Sequence, residues 1–301
     1  MSQLFVIFLN ILAPVFGLVL LGYLVGPRLE IDARSISRIA YYLLAPAFLF
    51  HVFSDANLEL NLAVRMAFYA ITVALLTGAV AFVIAKLLKL SSEMISAFVL
   101  ISVFGNVGNF GFPIIQFKFG DTAIVEASVY FIVLSITGFV VGVAAATWNR
   151  DGRLGAITAV FKTPAILAAV PALLVSGADV QIPIFLERAV GLLAGALIPI
   201  MLLTLGIQMA NIEKIELDRN VIIGSLVRLV AGPALAMLLA APFVMTGLPR
   251  GTGVLQAAMP AAVLASLIAL EHNLMPEFVT TSVLVSTVAS AFTLTIVLAI
   301  V

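Results

Sequence analysis

Phe104-Gly105-Asn106-Val107-Gly108-Asn109-Phe110-Gly111-Phe112-Pro113 lies in the middle of a long apolar run, and its reading decides the fold. Glycine, asparagine and proline are poor residues for a helix interior. A second interruption, Ala257-Ala258-Met259-Pro260-Ala261-Ala262, breaks another apolar run near the other end of the chain. Inside a bilayer, backbone that leaves the helix must be buried in protein or reached by water. One such interruption in each half of a chain points to a small-molecule site at mid-depth.

Composition supports a membrane setting. The chain is 63% hydrophobic and 10% charged, with a mean hydropathy of +1.24. Soluble globular chains carry about a quarter charged residues. The 15 basic and 15 acidic residues cancel, so a nucleic-acid partner is not expected. No cysteine is present, which excludes disulfides, thiolate metal sites and cysteine nucleophiles. Met1-Ser2-Gln3 lacks a basic leader, so no cleavable signal is expected.

A span needs roughly 20 apolar residues. Ten are expected, at about 3–26, 35–54, 61–86, 93–117, 123–148, 158–177, 187–209, 220–245, 252–271 and 277–301. Loops after odd-numbered spans hold Arg28, Arg34, Arg38, Lys86, Lys89, Arg150, Arg153, Lys162, Lys214 and Arg219; those after even-numbered spans hold Arg65, Lys118, Arg188 and Arg250. The basic side is cytoplasmic, which predicts a multi-pass protein of the cytoplasmic (inner) membrane with both termini outside. Ten spans divide into residues 1–150 and 151–301, two five-span repeats of opposite orientation. Leu44-Ala45-Pro46-Ala47-Phe48-Leu49 in span 2 and Leu197-Ile198-Pro199-Ile200-Met201-Leu202 in span 7 support the repeat.

Spans 4 and 9, entering from opposite sides and both broken, then cross. Each break leaves one half-helix whose N-terminus points at the crossing and attracts an anion such as a carboxylate. Freed carbonyls at the opposite ends could hold a cation. Asn106 and Asn109 add neutral donors and acceptors.

These residues resemble the auxin efflux carrier family. Asn106 with Gly111-Phe112-Pro113 resembles its span-4 motif. Ala258-Met259-Pro260-Ala261-Ala262-Val263, continuing to Glu271-His272-Asn273 and Pro276, resembles span 9. Val227-Arg228-Leu229-Val230-Ala231-Gly232-Pro233-Ala234 resembles span 8, and Ala45-Pro46-Ala47-Phe48-Leu49-Phe50-His51 resembles span 2. The resemblance runs along the whole chain. It implies an all-α integral membrane fold of the elevator type. Spans 1, 2, 6 and 7 form a scaffold that also makes a homodimer; spans 3–5 and 8–10 form a moving transport domain. It gives Asn106 the carboxylate contact, with Pro113 and Pro260 shaping the crossing. Gly108, Asn109, Gly111, Met259 and Ala261 complete the expected site. Span 3, from Asn61 to Lys86, has no Asp or Glu, and Lys162-Thr163-Pro164 replaces a basic-Asn-Pro pattern at the start of span 6. Thr163 is thus a candidate contact of altered chemistry, auxin itself is not the expected substrate, and proton or sodium coupling does not transfer.

Two further residues are assigned to gating or support. Arg228 lies within span 8, where an ionisable side chain is a functional candidate or pairs with a carbonyl. His51 lies near the outer end of span 2. Glu126, early in span 5, reads as the one acid near an outer cavity. The residues therefore predict a secondary transporter of a small organic anion, working by alternating access. An anion channel is the alternative. An intramembrane enzyme finds no support: the histidines His51 and His272 form no His-Glu-x-x-His motif, and no Gly-x-Ser-x-Gly elbow occurs.

Overall fold

The structure, a computed structural model, describes residues 3–54, 59–147, 164–177, 182–212 and 215–301. Besides short helical turns at Val107–Gly111 and Asp121–Ala123, they form twelve helices: α1 (Gln3–Val25), α2 (Ala33–Ser54), α3 (Leu60–Leu87), α4 (Ser92–Val103), α5 (Phe112–Phe119), α6 (Ile124–Thr147), α7 (Pro164–Gly177), α8 (Ile184–Ala210), α9 (Arg219–Ala240), α10 (Gly247–Ala258), α11 (Val263–Glu271) and α12 (Pro276–Ile300). Among the described residues, seven segments are long and apolar enough to cross a membrane: α1, α2, α3, α8, α9, α12 and Asp121–Gly138, which holds the start of α6. The halves α4 and α5 stand where span 4 was expected, and α10 and α11 where span 9 was. The first part of span 6 lies outside the described residues. Span 9 starts earlier than predicted, at Gly247.

Among the described residues, four helical stretches widen into π-turns: Phe8–Leu12, Ala40–Leu44, Val107–Gly111 and Val227–Ala231. A proline follows each one two residues on: Pro14, Pro46, Pro113 and Pro233. A proline ring pushes against the carbonyl four residues back and offers no N–H to it. A local shift to the wider turn moves that carbonyl aside without ending the helix. Pro113 therefore does not cause the break in span 4. The chain leaves the helix at Phe104–Asn106 and has resumed a helical path before Pro113 is reached.

The helices fall into two packed groups. In the first, α8 lies against α1 and α2, and α7 lies against α2. Its tightest point joins α1 to α8: a Cβ on Gly22 would strike the Leu203 carbonyl, and one on Gly206 would strike the Val19 carbonyl. Small residues let membrane helices approach backbone to backbone in this way. In the second group, α3 packs on α4 and α6, α9 on α10 and α12, and α11 on α12. Stacked Phe98 and Phe278, with ring centroids 5.2 Å apart, tie α4 to α12. Outward-facing Leu20, Leu24, Phe68, Leu75, Leu192 and Phe292 are exposed, as lipid-facing residues should be.

Candidate functional site

The two breaks pair with each other. Helix α4 ends at Val103, and Phe104 is extended at φ −78°, ψ 94°. Helix α10 ends at Ala258, and Met259 is extended at φ −61°, ψ 145°. Gly105 and Ala261 form an isolated antiparallel bridge. The Asn106 N–H donates to the Pro260 carbonyl at 2.8 Å, and the Ala262 N–H donates to the Phe104 carbonyl at 2.9 Å. Buried backbone groups must find partners, and here each unwound segment supplies them to the other. Pro260, with no N–H, suits a position that only accepts.

Side chains answer other freed groups. The Ala261 N–H donates to Ser286 Oγ on α12 at 3.2 Å. Arg228, in the π-turn of α9, donates from Nε to the Met259 carbonyl at 2.9 Å and from Nη1 to the Ser102 carbonyl at 2.8 Å. Those carbonyls belong to the C-terminal ends of α10 and α4, the negative ends of their helix dipoles. The carbonyls expected to attract a cation thus hold a built-in one. Two glycines make room. A Cβ on Gly105 would run into the Arg228 guanidinium, and one on Gly232 would lie 2.5 Å from the Ala257 carbonyl oxygen.

The other halves begin at the same place. The first bonds of the stretch starting at Val107 run from the Phe110 and Gly111 N–H groups to the Asn106 carbonyl. The N–H groups of Val107, Gly108 and Asn109 precede them, as at any helix start. In α11 the first such bond runs from Ala265 to Ala262 at 3.0 Å. The crossing therefore carries two helix N-termini, whose dipoles favour negative charge.

Asn106 is 4% exposed, and its Nδ2 has no hydrogen-bond partner. Gly108, Gly111, Pro113, Met259, Pro260 and Ala261 are buried as well; Asn109 is half-buried. Gly108 abuts Phe131 and Met201, and Gly111 abuts Gln256, so both serve packing around the π-turn. Pro113 sits in the first turn of α5, away from the paired residues. Thr163 lies outside the described residues.

Sequence reasoning missed four participants. Gln256 on α10 is fully buried; its Nε2 donates to the Ala127 carbonyl at 3.3 Å and its Oε1 is unpartnered. Ser102 gives only its carbonyl to Arg228. Gly232 is the clearance that lets α9 approach. Ser286 belongs to a buried stripe with Thr281, Ser282, Thr287 and Ser290. That stripe, spaced along one face of an otherwise apolar span, was the available signal.

A separate cleft of about 610 Å³ opens between the two groups of helices. Phe48, His51 and Val52 of α2, Ile198, Pro199 and Leu202 of α8, and Gln116, Asp121 and Val125 line it. His51 is thus a cleft residue. The acid on the cleft wall is Asp121, hydrogen-bonded to Gln116 Nε2 at 2.8 Å. Glu126 does not line it; the side chain at the next position along α6 turns elsewhere, with Oε2 buried and unpartnered. An aromatic series links the cleft wall to Phe131, which abuts Gly108. Phe48 packs on Phe112 at 4.9 Å, and Phe112 on Phe131 at 5.3 Å.

Residues 7–149 and 156–298 match the family model described as membrane transport protein. An uncharacterized transporter of Methanocaldococcus jannaschii is 22% identical over 304 residues, covering 94% of this chain and 95% of its own. An uncharacterized transporter of Methanothermobacter thermautotrophicus is 26% identical over 291 residues, covering 93% and 94%.

Proposed function

We propose, from the premise that this chain belongs to the membrane transport protein family, the auxin efflux carrier family its motifs resemble, that it is a secondary transporter of a small organic anion. The substrate is a carboxylate, moved outward across the cytoplasmic membrane. Ten spans in two inverted five-helix repeats carry it. The group of α1, α2, α7 and α8 acts as the scaffold and dimerises; the other helices form the transport domain, which moves elevator-fashion. Both termini lie outside.

One observation carries this reading: two interrupted helices pair through their backbones and present two positive helix ends beside the buried, unpartnered amide of Asn106. An amide left without a partner in an apolar interior is costly, and a carboxylate oxygen would satisfy it. The cleft between the two groups supports an approach route, with the wall of Phe48, Phe112 and Phe131 as its gate. The breaks meet at a single asymmetric point, which suits one-substrate occlusion better than a channel lined by repeated carbonyls.

The test is a thermal-shift screen of carboxylates against purified protein, with and without sodium and across pH. A ligand that binds the folded state raises its melting temperature. The best binder is then followed in proteoliposomes. Saturating flux with counterflow is expected. Flux that rises linearly with concentration and shows no counterflow would establish a channel instead.

A further inference from the structure

Arg228 is the only charged side chain among the buried described residues, at 3% exposure. Its hydrogen-bond partners are two neutral carbonyls, and no carboxylate is among them. Its remaining arm, Nη2, is buried against Gly105 and has no partner. At the next residue of the same unwound segment, Asn106 Nδ2 is also buried and unpartnered. A buried cation held only by neutral dipoles is unfavourable unless an anion joins it.

We infer that Arg228 is the resident counter-charge of the transported anion, and that the site therefore takes singly charged carboxylates. This rests on the organic-anion reading above and adds the charge class. Asn106 and the helix N-termini make the contacts; Arg228 acts as a positioning charge through the low-dielectric crossing, where a unit charge is felt over several ångströms. Nη1 and Nε sit on the carbonyls of Ser102 and Met259, so the chain itself brings a positive charge to the crossing. A second negative charge on the substrate would have no partner and would be disfavoured. When loaded with a monoanion, the crossing is neutral as it changes sides. When empty, it carries one positive charge.

Two measurements test this. In detergent, binding of acetate, benzoate, malonate and the neutral benzamide is compared in the wild type, Arg228→Gln and Arg228→Lys. The monoanions should bind better than malonate, and benzoate better than benzamide. Arg228→Gln should lose roughly ten- to hundredfold in monoanion affinity, the range of a lost charge-assisted interaction. It should also lose most of the preference for benzoate over benzamide, while Arg228→Lys keeps that preference. A merely structural loss would weaken acid and amide alike, leaving their ratio unchanged. An unchanged ratio in Arg228→Gln, or a wild type that prefers malonate, overturns the inference.

The second measurement uses only the wild type and decides the matter even if Arg228→Gln fails to fold. Exchange of labelled for unlabelled monoanion, saturating on both sides of proteoliposomes, is followed under an imposed potassium diffusion potential. A neutral loaded crossing gives a rate indifferent to potential, because a displaced charge is what the field acts on. Steep voltage dependence of the exchange overturns the inference. If no carboxylate binds the wild type, the organic-anion reading itself falls. If carboxylates bind but the charge tests fail, only the role of Arg228 falls.

Discussion

The Nε–H of Arg228 donates to the carbonyl oxygen of Met259 at 2.9 Å, tying the π-turn of α9 to the first residue of the second break. The same guanidinium reaches the Ser102 carbonyl at the end of α4. One side chain thus holds two helix ends that would otherwise present bare carbonyls to each other.

Asn106→Ala is expected to weaken carboxylate binding by about tenfold, the value of one lost hydrogen bond to a charged ligand. Folding should survive, because Nδ2 has no partner to lose within the protein. Ligand-induced thermal shifts, beside the melting temperature without ligand, check both halves. Unchanged affinity would take Asn106 out of the site.

Pro260→Ala restores an N–H where the crossing has none. That group can bond to the Gln256 carbonyl and extend α10 by a residue, pulling the Pro260 carbonyl away from the Asn106 N–H. Transport should slow while the protein still folds. A wild-type rate in proteoliposomes would show that Pro260 is not needed to keep the second helix broken.

Ser286→Ala removes the acceptor of the Ala261 N–H, a buried donor. Leaving it unpaired should cost about 1–3 kcal/mol. Chemical denaturation in detergent reads this directly. A stability equal to wild type would mean that Ala261 finds another partner.

Gly232→Ala places a Cβ 2.5 Å from the Ala257 carbonyl oxygen, a backbone atom that cannot swing aside. Helix α9 must move off α10, at a cost of about 1–3 kcal/mol typical of overpacking. Because Arg228 rides on α9, substrate binding should fall with stability. Gly17→Ala is the control: nothing lies within 4 Å of its added carbon, and its melting temperature should equal or exceed the wild type's, alanine being the better helix former.

How much of the site could be read in advance varies by residue. The clustering of Gly105, Asn106, Gly108, Asn109 and Gly111 announced a break, because glycine and asparagine are poor helix-interior residues; Gly105 and Asn106 lie in it, and the other three sit in the π-turn that follows. Met259-Pro260 announced the second break. Pro113 was expected to help shape the crossing; it lies past the break, in the first turn of α5, and need not end a helix. A proline can instead be absorbed by a π-turn, and Pro14, Pro46 and Pro233 show the same accommodation. Glu126 was favoured as the acid near the cavity because it lies inside a span; Asp121, before α6, is the one on the cleft wall. Thr163 lies outside the described residues.

By itself the sequence determined that the chain is an all-helical membrane protein and that two of its apolar runs do not stay helical. Hydropathy and helix propensity are local properties, summed along the chain, and need no knowledge of neighbours. Tertiary structure decided what the broken segments do: Asn106 meets Pro260, Ala262 meets Phe104, and Arg228 joins the carbonyls of both. Those partners lie far apart along the chain. A hydrogen bond is decided by distances of a few ångströms in space, which no local pattern records.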